Sequence, residues 1–232
     1  MLRADPQDLV SPQERFSLPA KPRAVIEALT PLLTPNRIER IDAVVGRRTR
    51  AVVPVLDGLI DPHNIAAVLR SADAFGVQDV HVIEGDEPFV ASHRVAQGTE
   101  RWLDVVRHGS ARACAKHLKD AGYFLLTADM DGDTTPEQLQ DLGKIAIVFG
   151  NEHAGVSESI RDLADGSYTI PMCGFVESLN VSVANAITLR AACAGRTGDL
   201  SAGEREELRA RFMMLSVERA EEIIAEYLRR TR

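Results

Sequence analysis

The chain has 232 residues, 45% hydrophobic and 26% charged, a composition that excludes a disordered chain and suits one α/β domain with short extensions. No apolar run approaches the ~18–20 residues needed to cross a bilayer, and the opening MLRADPQDLVSPQER lacks the apolar stretch of a signal peptide. The net charge of −7 argues against a general polyanion binder.

Taken in chain order, the stretch up to about Leu33 is proline-rich, with a short helical segment near Ala24–Leu29, and reads as an extension. A helix then starts at Thr34, a good N-cap, with Pro35 in the first helical position and Ile38, Ile41, Val44 and Val45 as its apolar stripe. From Pro35 to Arg50 five arginines (Arg37, Arg40, Arg47, Arg48 and Arg50) face only Glu39 and Asp42, a balance of +3. From Ala51 to Gly203 there are 11 basic and 21 acidic residues, a balance of −10. Any nucleic-acid contact is therefore local, although the same arginines also suit a solvated helix face.

From Ala51 the β-like runs AVVPVL, DVHVIE, YFLLTA, KIAIVFG and SYTIP alternate with candidate helices at Pro62–Ala74, Ser110–Ala121, Ser157–Leu163 and Val181–Ala194. Alternation of this kind predicts an α/β fold, a mostly parallel sheet with helices on both faces. Strands buried on both faces read as unbroken apolar runs, as IAIVF does. After Gly195-Arg196-Thr197-Gly198 comes one long helix, with a capping box at Ser201 and Glu204 and a stripe of Leu208, Phe212, Leu215, Ile223, Ile224 and Tyr227. It reads as a packing or dimer element. The expected organisation is an extension over 1–50, a central domain over 51–195 and a C-terminal helix over 196–232.

Cys114, Cys173 and Cys193 are odd in number and too widely spaced for a disulfide framework or a paired zinc site, so a reducing cytoplasm is expected. His63, His93 and His153 are too scattered for metal ligation, and no metal is expected.

Three segments carry chemistry. In Asp61-Pro62-His63-Asn64-Ile65-Ala66-Ala67-Val68-Leu69-Arg70, Asp61 caps a helix that buries Ile65, Val68 and Leu69. At 100° per residue Arg70 points about 140° away from Ile65. Asn64 sits in the first turn, just beyond a strand end, where α/β proteins place ligands. In Phe149-Gly150-Asn151-Glu152-His153-Ala154-Gly155-Val156-Ser157 a strand ends at a glycine and a carboxylate follows. In Ile170-Pro171-Met172-Cys173-Gly174-Phe175-Val176-Glu177-Ser178-Leu179-Asn180-Val181-Ser182 a strand stops at proline and a small loop leads into a helix of small residues, whose opening amides suit a polar ligand. Each segment alone is an ordinary strand–loop–helix.

Together, and in this order, the NxxxxxR, FGxExxGxS and IPMxGxxxSLNVSVA segments resemble the three motifs of the SpoU branch of the SPOUT methyltransferases, over about Thr34 to Ala194. The stretch from Thr34 to Ile41 resembles the N-terminal helix of members that act as tRNA (guanosine-2′-O)-methyltransferases on the D-loop guanosine. The resemblance implies a C-terminal deep trefoil knot, an exception to ordinary topology. It implies S-adenosylmethionine near Thr127, Gly150, Ile170 and Leu179, with Ser178 adjacent, and a homodimer with a shared site. By matching positions Arg70, Asn64, Glu152, Ser178 and Asn180 would be catalytic, and Arg37, Arg40, Arg47, Arg48 and Arg70 would contact tRNA.

The implied reaction is in-line attack of a ribose 2′-hydroxyl on the sulfonium methyl, with no metal and no covalent intermediate. Guanidinium stays protonated, so Arg70 would hold phosphate and stabilise alkoxide charge, oriented by Asn64. Cys173 beside the pocket is read as a small packing thiol. The rivals are ribosomal RNA or another tRNA position as substrate, a knotted RNA-binding factor without catalysis, and a methyltransferase for a small molecule or protein.

Overall fold

Short aliphatic runs pair into a six-stranded sheet in which every strand is parallel to its neighbours. The strands are β2 (Val52–Asp57), β3 (Asp79–Ile83), β5 (Asp104–His108), β6 (Phe124–Ala128), β7 (Ile145–Phe149) and β8 (Gly166–Tyr168), in the order β5-β3-β2-β7-β6-β8. Register is set by pairs such as Val55 with His81 and with Val148. The structure, a computed structural model, describes residues 9–10, 17–84, 91–92, 98–151 and 154–231. Two further short strands, β1 (Leu9–Val10) and β4 (Ala91–Ser92), form an antiparallel ribbon.

Helices cover both faces. On one, α3 (Pro62–Ala74) and α6 (Val181–Ala192) bury Ile65, Leu69 and Leu189 against Leu56, Val80 and Ile147. On the other, α4 (Ala111–Asp120) and α5 (Glu158–Arg161) bury Cys114, Leu118 and Ile160 against Val53, Val55 and Val148. All five residues of β7 are buried, which is why IAIVF carries no alternation. The predicted helix over 62–74 forms with those bounds: Asp61 Oδ1 accepts the His63 amide at 2.9 Å, and Pro62 opens the first turn.

The strand β5 has no counterpart in the predicted elements. DVVRH is partly exposed at the sheet edge, so it lacks the apolar run of its neighbours. The strand expected over SYTIP pairs only through Gly166–Tyr168. A 3₁₀ helix over Pro136–Asp141, opened by a Thr135–Gln138 capping box, also lacked a predicted counterpart and packs on α6. At the start of the sheet Arg50 bonds both oxygens of Asp79 and reaches Asp104 at 3.0 Å. Burial opposes the Arg50 charge, but the two carboxylates outweigh it and raise its pKa.

A second compact unit comprises Arg15–Thr49 and Thr197–Arg232, so segments read as two separate extensions fold together. Here α7 (Ala202–Met214) packs on α1 (Pro22–Leu29) and α2 (Pro35–Val45), and α8 (Ala220–Arg230) packs on α1. The Thr34 cap and the Ser201–Glu204 capping box form as expected. The single long C-terminal helix does not. It breaks between Met214 and Ala220, where Ser216 Oγ turns back to the Phe212 carbonyl at 2.7 Å and Arg37 donates to the same oxygen at 2.8 Å. Arg219 then adopts φ 56°, a left-handed conformation costing a non-glycine residue about 1–2 kcal/mol. Among the described residues no helix is long and apolar enough to cross a membrane.

Candidate active site

Parallel strands deliver their loops to one edge of the sheet. Those leaving the C-terminal ends of β6, β7 and β8 line an open cavity of about 720 Å³, within the range of small-molecule sites. Two glycines permit the close backbone packing this requires. A Cβ on Gly150 would lie 2.1 Å from the Gly155 carbonyl carbon, and one on Gly132 would lie 2.2 Å from that of Tyr168. Asn151 and Gly155 exchange backbone hydrogen bonds at 2.9 and 2.8 Å, closing the 151–155 turn with Gly155 at φ +70°. Asn151 Nδ2 also donates to the Gly58 carbonyl, and the Ser157 amide donates to Asp57, which fastens this turn to the end of β2.

The loop after β6 is stitched to the chain leaving β8. The Asp129 amide donates to the Tyr168 carbonyl, the Thr169 amide donates to the Thr134 carbonyl, and Thr169 Oγ1 donates to the Met130 carbonyl at 3.0 Å. Residues 171–178 are exposed; the chain then reaches Asn180, where α6 begins. Asn180 does two things at once. Its Oδ1 caps the helix by accepting the Ser182 amide at 2.9 Å and the Ser182 hydroxyl at 2.6 Å. Its Nδ2 donates to Asn64 Oδ1 at 3.1 Å, tying the first segment to the third across 116 residues of sequence.

The cavity collects Gly150, Ile170, Ser178, Leu179 and Asn180 from the expected residues, together with Asp129, Asn151 and Phe149. Thr127 does not line it: the residue is buried inside β6, and its neighbour Ala128 provides the wall. Asn64 is buried and joins the site through Asn180. Arg70 is exposed on α3 and is not among the lining residues. At 100° per residue Asn64 and Arg70 stand about 120° apart around α3, so Asn64 is turned to the third segment rather than to Arg70. Glu152 and His153 lie outside the described residues.

Of the arginines expected to meet RNA, Arg37, Arg40 and Arg47 are exposed. Arg48 corrects the expectation: it is 1% exposed, with its guanidinium 5.5 Å from the centroid of the Phe212 ring. A side chain packed inside its own unit cannot touch phosphate. Beneath the third segment, Tyr168 bonds Thr188 at 3.1 Å, and complete burial pushes its phenol pKa well up. Neither amide atom of the fully buried Asn185, on the same helix α6, has a hydrogen-bond partner among the described residues. No pattern in the sequence marked these three.

Residues 51–190 match the model of the SpoU rRNA Methylase family. The chain belongs to that family. It is 34% identical over 157 residues to the tRNA (guanosine(18)-2′-O)-methyltransferase of Thermus thermophilus, an alignment covering 67% of this chain and 81% of that one. To the enzyme of the same name from Escherichia coli K12 it is 32% identical over 158 residues, 68% of this chain and 69% of the other. Among solved structures, the A. aeolicus TrmH/SpoU tRNA modifying enzyme matches with TM-score 0.61 over 84% of this chain and 96% of that one, at 23% identity, a likeness of fold. The SpoU methyltransferase AviRb from Streptomyces viridochromogenes, in complex with AdoMet, matches with TM-score 0.56 and 29% identity over 63% and 60%. The SpoU match spans all six strands of the parallel sheet, the cavity and most of α6, and stops short of the second unit.

Proposed function

We propose that this SpoU-family protein is an S-adenosylmethionine-dependent RNA ribose 2′-O-methyltransferase whose substrate is the D-loop guanosine 18 of tRNA. The observation that carries the reading is the Asn180–Asn64 hydrogen bond, which locks the third segment, lining the cavity, to the helix that bears Arg70. The substrate follows from the relatives named for guanosine 18, and the cofactor from the AdoMet complex of a SpoU enzyme.

The cavity residues suit that cofactor. Phe149, Ile170, Leu179 and Ala184 offer apolar walls for a flat base, while Asp129, Asn151 and the backbone around Gly150 offer polar groups for an amino-acid arm. When bound, S-adenosylmethionine supplies a methyl group on a sulfonium, open to in-line attack. The chain's own part is alignment and charge. Asn180 and Ser178 shape the loop against which the ribose rests, and Glu152 organises the site or a polar group of the cofactor. Arg70, always protonated, holds the phosphate beside the target nucleotide and stabilises negative charge as the 2′-hydroxyl gives up its proton.

Arg70 stands outside its own cavity, and Met172, Phe175, Val176, Val183 and Ile187 are exposed apolar side chains on the adjoining loop and α6. Both features support a homodimer in which one copy's arginine serves its partner's site. The knot of the family is proposed for the segment from β7 through α6. Arg37, Arg40 and Arg47 are proposed to grip tRNA phosphates, in a cytoplasmic enzyme. The test is the Arg70→Ala variant, measured by calorimetric cofactor binding and by methyl transfer to unmodified tRNA. Transfer should vanish while cofactor affinity stays near wild type; wild-type transfer would refute the assignment.

A further inference from the structure

On the sheet face under α4, three imidazoles and a thiol gather away from the candidate active site. His81 on β3 and His108 on the edge strand β5 are 3% and 8% exposed, and Cys114 on α4 is completely buried above them. His81 Nδ1 and His108 Nε2 lie 2.8 Å apart in rings only 10° from parallel, so one ring donates its proton to the other. Ligand atoms of His81, His108 and Cys114 all lie within 4.8 Å of one another. His117, one turn beyond Cys114 on α4, stands at the solvent edge with its ring centroid 5.5 Å from that of His81 and 5.3 Å from that of His108.

None of these residues lines the cavity. A core gains nothing from burying polar rings that aliphatic side chains could replace, because each ring must keep a hydrogen bond to offset its desolvation. Imidazole nitrogen combined with thiol sulfur is the donor set of zinc, and it is a poor match for the hard cations that prefer oxygen.

We propose that His81, His108 and Cys114 form a structural zinc site, with His117 closing the fourth position at its outer edge. Zinc–nitrogen bonds of ~2.0–2.1 Å and a zinc–sulfur bond of ~2.3 Å place tetrahedral ligand atoms roughly 3.4–3.6 Å apart. The ion therefore spreads the two nitrogens from their present 2.8 Å by somewhat over half an ångström and takes the sulfur, within 4.8 Å of both, to bonding distance. Among the described residues β5 pairs with β3 alone, so the shift breaks no pairing on its other side. The proton balance is simple. The Cys114 thiol loses its proton to solvent as the zinc–sulfur bond forms, while the proton shared by the histidines moves to the outer nitrogen of its own ring, leaving both imidazoles neutral. Zinc so held fastens the sheet edge to α4.

The test uses the full chain after chelator treatment, titrated with Co(II) as a spectroscopic probe and then with Zn(II) in competition. The site predicts one equivalent of cobalt with visible bands of tetrahedral intensity and a near-ultraviolet sulfur-to-cobalt charge-transfer band, all displaced by one equivalent of zinc. Cys114→Ser removes the charge-transfer band, His108→Gln weakens metal retention, and Cys173→Ser leaves the spectrum unchanged. Circular dichroism checks that each variant is folded, and the wild-type titration stands by itself if one is not. Folded wild-type protein that takes up neither ion, or a sulfur band that survives Cys114→Ser, overturns the site. No readout depends on methyl transfer.

Discussion

Replacing Asn180 separates two roles that one side chain performs. Asn180→Ala removes the cap of α6, about 1 kcal/mol, and leaves the buried Asn64 carbonyl without that donor, about 1 kcal/mol more. Summed over a chain of this size, ~2 kcal/mol lowers Tm by about 4–8 °C. Asn180→Asp keeps an oxygen to accept the Ser182 amide and hydroxyl, and a carboxylate is favoured at a helix N-terminus. At the Asn64 contact it sets a second acceptor where the donor stood, which costs about 1 kcal/mol or more there while the cap is kept. Both variants release the catalytic loop from α3, and misplacement of reacting groups by about 1 Å costs on the order of a hundredfold in rate. Thermal unfolding and single-turnover methyl transfer on the same preparations are the assay. The expected result is unequal stability with similarly damaged chemistry. An Asn180→Asp enzyme with wild-type single-turnover rate would refute the reasoning, as would strict additivity of Asn64→Ala and Asn180→Ala in a double-mutant stability cycle.

Gly150→Ala should abolish cofactor binding and lower expression of folded protein, because its Cβ would meet the Gly155–Val156 backbone at 2.1 Å; calorimetry showing wild-type affinity would contradict this. Arg40→Ala and Arg47→Ala should each weaken tRNA binding and reduce the log–log salt slope by about 1, read from filter binding at several salt concentrations. Arg48→Ala should instead leave that slope alone and cost about 1–3 kcal/mol of stability, through lost packing on Phe212.

The legible parts of this protein are those whose signals are local. Asp61 and Pro62 announce α3, Thr34 and Pro35 announce α2, and the unbroken apolar run of β7 declares a strand buried on both faces. The illegible parts depend on distant partners. The C-terminal stripe runs through Leu215 without a proline or glycine, and the helix breaks where Ser216 meets Arg37, 179 residues away. β5 is an edge strand whose charge and histidine hide its pairing. The buried state of Arg48 follows from Phe212, on a helix at the other end of the chain. The three chemical segments could be seen singly, but the Asn64–Asn180 contact exists only in the fold. Likewise, the positions of His81, His108 and Cys114 carry no metal-motif spacing; two neighbouring parallel strands bring the histidines together and the helix above them adds the thiol.

The central claim is ribose methylation of tRNA at one nucleotide. The direct measurement is transfer from labelled S-adenosylmethionine to an unmodified tRNA transcript, with the product digested and the modified nucleotide mapped. The account predicts one methyl group on the 2′-oxygen of the D-loop guanosine 18, absent with Arg70→Ala. A methyl on a base, on another nucleotide, or on no tRNA at all while the cofactor binds would contradict it.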